Sequence, residues 1–142
     1  MATVFQASFL LVAPFWLLMI AAPGWRVTRN VVGSVWIVVP AALLYLVLVV
    51  PDAPGVLRVV ASPDLATIAA LLATPAGATI AWVHFLAFDL FVGRWVYLDA
   101  RSRSMPAWLS APLLLLTLML GPTGLIGHLI ARMRYPLASG RT

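Results

Sequence analysis

The stretch from Trp82 to Tyr97 reads WVHFLAFDLFVGRWVY, and it sets ionisable residues inside an apolar segment that is otherwise long enough to cross a bilayer. Asp89 lies near the middle of the segment, with His84 before it and Arg94 after it. A charged side chain at the centre of a membrane helix costs about 2.5–3.5 kcal/mol on insertion scales, so such residues usually face the bundle interior and mark function. The stretch predicts a functional membrane helix, for which the rest of the chain is the scaffold.

The composition of the chain indicates a membrane protein. Of its 142 residues, 63% are hydrophobic and 9% are charged, whereas soluble domains carry about 25% charged residues. The net charge of +5 comes from nine arginines and four aspartates, without lysine or glutamate. In a membrane protein such an excess sets topology and contacts anionic head groups, so we expect no nucleic acid as partner. The absence of cysteine excludes disulfides and thiolate metal sites.

Four apolar runs predict an all-α membrane protein with four transmembrane helices in one bundle, which forms a single domain over residues 1–142. The runs cover about residues 5–22, 31–50, 79–98 and 106–130, close to the ~20 residues that a spanning helix needs. Residues 62–74 predict a short interfacial helix between helices 2 and 3, with Ser62 as N-cap, Pro63 at the first position and Asp64 in the first turn. Four crossings predict that both termini lie on one side.

The arginines leave the orientation of these helices open. Four follow the first and third helices and four belong to the opposite side: Arg26, Arg29, Arg101 and Arg103 against Arg58, Arg132, Arg134 and Arg141. The rule that cytoplasmic loops carry the excess of cations therefore gives a tie. The N-terminus lacks the basic region of a signal peptide, so we expect an integral protein of a bacterial cytoplasmic (inner) membrane.

Helical geometry separates the ionisable residues of the third helix. A spacing of five residues turns a helix by about 140° beyond a full turn, so His84, Asp89 and Arg94 point in three directions. Asp89 shares its face with Trp82 and Phe85 instead. It either fixes packing by bonding to a neighbouring helix, or it acts as a proton donor or base on an apolar ligand held against the aromatic residues.

The other ionisable residues leave alternatives open. Arg94 either pairs with Asp89 across helices or extends its charged end to the head groups. His84 and His128 are expected at similar depth on antiparallel helices, where Asp64 or Asp52 would complete a site of the two-histidine, one-carboxylate iron type. Two histidines are a weak metal signal, so we predict no metal and no cofactor.

We assign candidate roles to eight residues. The candidate catalytic residues are Asp89, His84 and Arg94, and the candidate ligand-binding residues are Trp82, Phe85, Phe88, Gly93 and His128. Gly93 is included because it leaves room for a close approach one turn beyond Asp89. A Ser-His-Asp triad and a phosphate-binding glycine loop are not seen in the sequence.

Two stretches carry a resemblance to a known family: residues 81–99, AWVHFLAFDLFVGRWVYLD, and residues 121–128, GPTGLIGH. With the four-helix plan, they resemble the abscisic-acid-deficient-type family of integral membrane proteins, whose plant members are required for making neoxanthin from violaxanthin. The resemblance implies a role in carotenoid or isoprenoid metabolism and a carotenoid or other apolar lipid as partner. Opening a 5,6-epoxide to an allenic alcohol needs an acid at the epoxide oxygen and a base for the C7 proton, roles that Asp89 and His84 can divide.

Two functions from different classes remain. The first is a cofactor-free acid-base isomerase, or a component of such an enzyme, that acts on an epoxy-carotenoid. The alternative is a non-catalytic pigment- or lipid-binding subunit that scaffolds a larger membrane complex, with Asp89 and Arg94 in pairing between subunits. A proton or ion path is disfavoured, because one mid-membrane acid makes a poor relay.

Overall fold

The computed structural model describes residues 1–137, and this part of the chain is built of helices without a β-strand. Arg141 lies outside the described residues. Four segments are long and apolar enough to cross a membrane, as predicted: Ala2–Ala21, Val35–Ala61, Pro75–Ser102 and Ala107–Arg134. Helices are expected here because lipid offers no hydrogen-bond partner to the backbone, so each segment has to pair its own amide and carbonyl groups.

The helices are numbered in chain order. They are α1 (Ala2–Ser8), α2 (Ala13–Ala21), α3 (Arg26–Gly33), α4 (Val39–Val49), α5 (Ala53–Ala61), α6 (Leu65–Leu72), α7 (Pro75–Ser102) and α8 (Ala107–Ala131). Turns of 3-10 helix join α1 to α2 and α4 to α5, and another precedes α4. Pro14 and Pro40 each stand at the second position of a helix, where the missing proline N–H removes no helical hydrogen bond.

Helix α7 is the centre of the molecule and packs against α1, α2, α4, α6 and α8. Its Gly93 lies directly against the indole ring of Trp16 on α2, and a side chain at this position would meet that ring. The close approach predicted at Gly93 is therefore made by a core tryptophan. The surrounding core is apolar and includes Val12, Met19, Leu90 and Leu114, all fully buried.

A short helix does separate the second and third apolar segments, as predicted, but its cap differs from the prediction. Asp64 rather than Ser62 is the N-cap of α6, because its Oδ2 accepts from the backbone N–H of Thr67 at 3.0 Å. The two hydrogen bonds from Thr67 lower the pKa of the Asp64 carboxyl. The second apolar segment is also longer than predicted, since it continues through α5 to Ala61.

The fourth apolar segment folds back on itself. Leu120 has φ −141° and ψ 52°, which are not helical, and it divides α8 into an outgoing arm (residues 107–119) and a returning arm (residues 121–131). A Cβ atom on Gly124 would collide with the backbone of Thr117, and a Cβ atom on Gly127 would collide with the side chain of Leu113. Residues seven or more positions apart touch in this way only when the two arms lie side by side.

Each arm is shorter than a membrane crossing. At 1.5 Å per residue the arms measure about 20 and 16 Å, against a hydrocarbon core of about 30 Å. The segment therefore enters the bundle, turns at Leu120 and returns to the end from which it came.

The fold-back corrects the predicted placement of the chain ends. Met1 lies beside Pro75, at the start of α7, whereas the carbonyl of Tyr135 accepts from Arg103 at the end of α7. The termini of the described chain are thus at opposite ends of the bundle, and the prediction of both on one side is wrong.

The fold-back also breaks the tie among the arginines, because it brings Arg132 and Arg134 back to the end of α7. One end of the bundle now carries Arg26, Arg29, Arg101, Arg103, Arg132 and Arg134. Of the two other arginines among residues 1–137, Arg58 lies at the opposite end and Arg94 lies within α7. We call the first end the arginine-rich end. Such an excess of cations at one end is the asymmetry that sets the orientation of membrane proteins.

Candidate functional site

The turn of α8 meets the middle of α7 and forms a cavity of about 600 Å³ around Asp89. From α7, Trp82, Phe85 and Leu86 line it beside the carboxyl. The other wall is the turn itself, residues 118–123. Of the candidate ligand-binding residues, the structure therefore places Trp82 and Phe85 together with Asp89, on the face that helical geometry predicted.

Asp89 contacts the first residue of the returning arm. A Cβ atom on Gly121 would collide with the Asp89 Oδ1 atom, so the carboxyl occupies the space that the glycine leaves free. The first turn of a helix carries unpaired N–H groups and a partial positive charge. The neighbour that Asp89 was expected to find on another helix is thus the backbone at the break in α8, and no side chain of residues 1–137 forms a salt bridge with it.

The surroundings of Asp89 suit proton transfer. Within residues 1–137, no side chain forms a salt bridge or a hydrogen bond with its carboxyl. A carboxyl group buried against apolar side chains is costly unless it finds a hydrogen-bond partner. Such a carboxyl group is a candidate for proton transfer.

His84 and Phe88 lie outside this cavity. The His84 ring stacks on Phe88 with ring centroids 4.6 Å apart and packs against Tyr45 of α4. Phe88 lines a separate apolar groove between α4 and α7. The α4 side of α7 therefore holds both side chains, away from the face that carries Asp89.

Arg94 is also remote from Asp89, because it caps the end of α3. Its Nε donates to the carbonyls of Val32 at 2.9 Å and Ser34 at 3.2 Å, and its Nη2 donates to the carbonyl of Gly33. Carbonyls at a helix C-terminus lack partners within the helix. Neither alternative from the sequence holds: Arg94 neither pairs with Asp89 nor extends freely to the head groups.

His128 belongs to a second polar cluster, which we call the Asp99 cluster: Asp99, Arg103, His128 and Arg132. The Oδ2 atom of Asp99 lies 2.8 Å from Arg103 Nε, 2.9 Å from His128 Nε2 and 3.5 Å from Arg132 Nε. His128 is fully buried. The prediction that His128 lies at the depth of His84 is therefore wrong, because the returning arm carries His128 to the far end of α7.

Trp95 covers the Asp99 cluster on its apolar side. The guanidinium of Arg132 lies 5.4 Å from the centroid of the indole ring, and the His128 ring meets the same indole edge-on. Asp99, Arg103 and Arg132 were not among the candidate residues. The contact of Asp99 with Arg103 could have been predicted, since residues four apart on a helix are neighbours. Arg132 had no such signal, because its place depends on the fold-back.

The two polar sites differ in what they can do. Asp99 already has three cationic or N–H partners, so its cluster fastens the returning arm to α7. No group of three histidine, cysteine, aspartate or glutamate side chains suited to a metal occurs among residues 1–137. Asp89 lines a cavity and forms no salt bridge within residues 1–137, and it is therefore the candidate functional residue.

Comparison with known proteins gives a family for the chain. The family model described as ABA4-like (ABA DEFICIENT 4-like) matches residues 3–128, which include the Asp89 cavity and most of the Asp99 cluster. Neither the curated proteins nor the solved structures gave a match. Since the match spans all four apolar segments and more than half of the chain, this protein belongs to the ABA DEFICIENT 4-like family of membrane proteins.

Proposed function

We propose that this protein is a membrane-embedded acid-base isomerase that opens the cyclic epoxide of an epoxy-carotenoid to an allenic alcohol. The family suggests a role related to neoxanthin and abscisic acid synthesis. The observation that carries the proposal is the position of Asp89, a carboxyl in an aromatic-walled cavity of about 600 Å³ at the middle of the longest helix. Binding cavities for small molecules are mostly apolar with a few polar groups.

One carboxyl group suffices for the reaction. In its neutral form Asp89 donates a proton to the epoxide oxygen while the bond from that oxygen to C6 breaks, and the oxygen remains on C5 as a hydroxyl. The resulting carboxylate takes the proton from C7, and the electron pair of that C–H bond forms the new double bond between C6 and C7. The atoms and electrons balance, Asp89 returns to its starting form, and no oxidant or reductant is consumed.

The remaining lining positions the end group of the substrate. Trp82 and Phe85 offer flat apolar surfaces to the ring, and Gly121 brings the backbone close to the carboxyl. His84 takes no part in this version of the chemistry, because its ring packs against Phe88 and Tyr45. Asp89 alone therefore takes both the acid role and the base role, which the sequence had suggested dividing between Asp89 and His84.

The test is turnover of violaxanthin by the purified protein in lipid vesicles, with products separated by chromatography. Asp89→Asn keeps the size of the side chain and removes its acidic proton and its basic carboxylate, so turnover should fall by about 10²–10⁴, the usual contribution of general acid-base catalysis. Asp52→Asn, at an exposed aspartate beyond the cavity, is the matched control and should keep wild-type turnover. Wild-type turnover by folded Asp89→Asn would contradict the proposal.

A second function is favoured by the outer surface of α7. Phe88, Phe91 and Trp95 are partly exposed and line two apolar grooves of about 330 and 320 Å³ on either side of Phe91. Such a surface suits the binding of a pigment or lipid that undergoes no reaction, as expected of a scaffold subunit. Pigment retained by the purified protein without turnover in the assay above would support this function over the isomerase.

A further inference from the structure

We propose that a small cavity at the arginine-rich end binds a phosphate group. The cavity has a volume of about 130 Å³ and lies between the end of α7, the start of α8 and the loop after α2. A water molecule takes about 30 Å³ of liquid, so the space holds a group the size of about four waters, which suits a phosphate. Its lining includes Tyr97, Arg101, Ala107 and Ser110.

Ser110 is a buried residue whose hydroxyl is available to this space. The residue is 6% exposed, lines the cavity and has no side-chain hydrogen bond to any residue from 1 to 137. Nearly all polar side chains of buried residues in proteins have a hydrogen-bond partner. A ligand oxygen in the cavity would accept its proton.

The charge around the cavity is positive. Arg101 lines it and spends one long hydrogen bond, 3.4 Å, on the carbonyl of Pro23, which leaves its other N–H groups free for a ligand. Arg29 donates to the carbonyl of Gly24, another lining residue. No carboxylate of residues 1–137 lines the cavity, because Asp99 points into its own cluster with Arg103 and His128.

The start of α8 adds backbone donors. Ala107 is the first residue of the helix and lines the cavity, and the N-cap Pro106 provides no side-chain hydrogen bond. The N-terminus of a helix attracts phosphate through its free N–H groups and its dipole. Arginine, serine hydroxyl and helix start together form the usual donor set for a phosphate.

The position of the cavity relates it to membrane lipid. It lies at the arginine-rich end, which the charge rule assigns to the cytoplasmic side, and anionic phospholipids concentrate in that leaflet. The same donors would also accept inorganic phosphate, so the experiment has to separate a lipid head group from the free ion.

The test is binding measured by native mass spectrometry and thermal unfolding of the detergent-purified protein. The probes are phosphatidylglycerol, diacylglycerol as the same lipid without phosphate, and inorganic phosphate. We expect Arg101→Gln to bind phosphatidylglycerol about tenfold more weakly than wild type and Ser110→Ala about threefold more weakly, as for loss of a charged and a neutral hydrogen bond. Diacylglycerol should not bind at the site.

Arg134→Gln is the matched control, because Arg134 is an exposed arginine of the same end that does not line the cavity. Its affinity should stay at the wild-type value. Stabilisation by inorganic phosphate alone, with the same dependence on Arg101 and Ser110, would assign the site to the free ion. Equal weakening by Arg101→Gln and Arg134→Gln would overturn the proposal. If Arg101→Gln does not fold, wild-type binding by Ser110→Ala would overturn it too.

Discussion

The Oδ2 atom of Asp99 lies 2.9 Å from Nε2 of His128, a residue 29 positions later in the chain. Asp99 stands in the last turn of α7 and His128 near the end of α8. Two antiparallel helices joined by a short turn would hold these residues at opposite ends. Their contact exists because α8 turns at Leu120, and the same turn brings Gly121 to Asp89.

Replacing Asp99 with Asn should destabilise the protein more than any other single aspartate change. The variant removes the charge that Arg103, His128 and Arg132 share, and hydrogen bonds to charged groups contribute about 1.5–3 kcal/mol each. We expect the free energy of unfolding to fall by about 2–3 kcal/mol, seen as a lower melting temperature in detergent. Asp52→Asn, at an exposed site, is the control, and equal melting temperatures for both variants would refute the role of the cluster.

Gly121→Ala should disturb the candidate site directly. The new methyl group would occupy the space of the Asp89 Oδ1 atom, so the carboxyl or the turn of α8 has to move. Overpacking of this kind costs about 1–3 kcal/mol, and we expect a lower melting temperature together with a loss of violaxanthin turnover.

Gly33→Ala is the matched control for this change, since a Cβ atom at Gly33 meets nothing within 4 Å. It should leave both stability and turnover at wild-type values. A Gly121→Ala variant that behaves like Gly33→Ala would show that the turn of α8 does not abut Asp89.

Arg94→Lys separates a structural role of Arg94 from the catalytic role that the sequence suggested. An ammonium group cannot reproduce the forked donation to the carbonyls of Val32, Gly33 and Ser34. We expect a loss of about 1–2 kcal/mol in the free energy of unfolding, measured by thermal melting beside Arg134→Lys as an exposed control. Loss of turnover with an unchanged melting temperature would instead support catalysis by Arg94.

The helices themselves were predictable from the sequence, because apolar length is a direct consequence of bilayer thickness. The face of Asp89 was predictable too, since Trp82 and Phe85 follow from helical periodicity alone. Both inferences use only neighbours along one helix.

The fold-back could not be predicted in the same way. The interruption at Gly121 and Pro122 is visible in the sequence, but proline and glycine are common within membrane helices that continue straight. A run of apolar residues in two short arms has the same hydropathy as one long helix. The hydrogen-bond partners of His128, and the end of the bundle at which the C-terminal arginines lie, depend on contacts between the two arms of α8. The periodicity of the sequence does not predict such contacts.

The most direct test of the folded-back α8 is the accessibility of single cysteines in sealed vesicles of known orientation. The chain has no native cysteine, so Ser62→Cys, Ser102→Cys and Met133→Cys can each be made in the wild-type background. All three positions are exposed in the structure. A membrane-impermeant maleimide should label Ser102→Cys and Met133→Cys from the same side and Ser62→Cys from the other. Labelling of Met133→Cys from the side of Ser62→Cys would show that α8 crosses the membrane, and it would contradict the account.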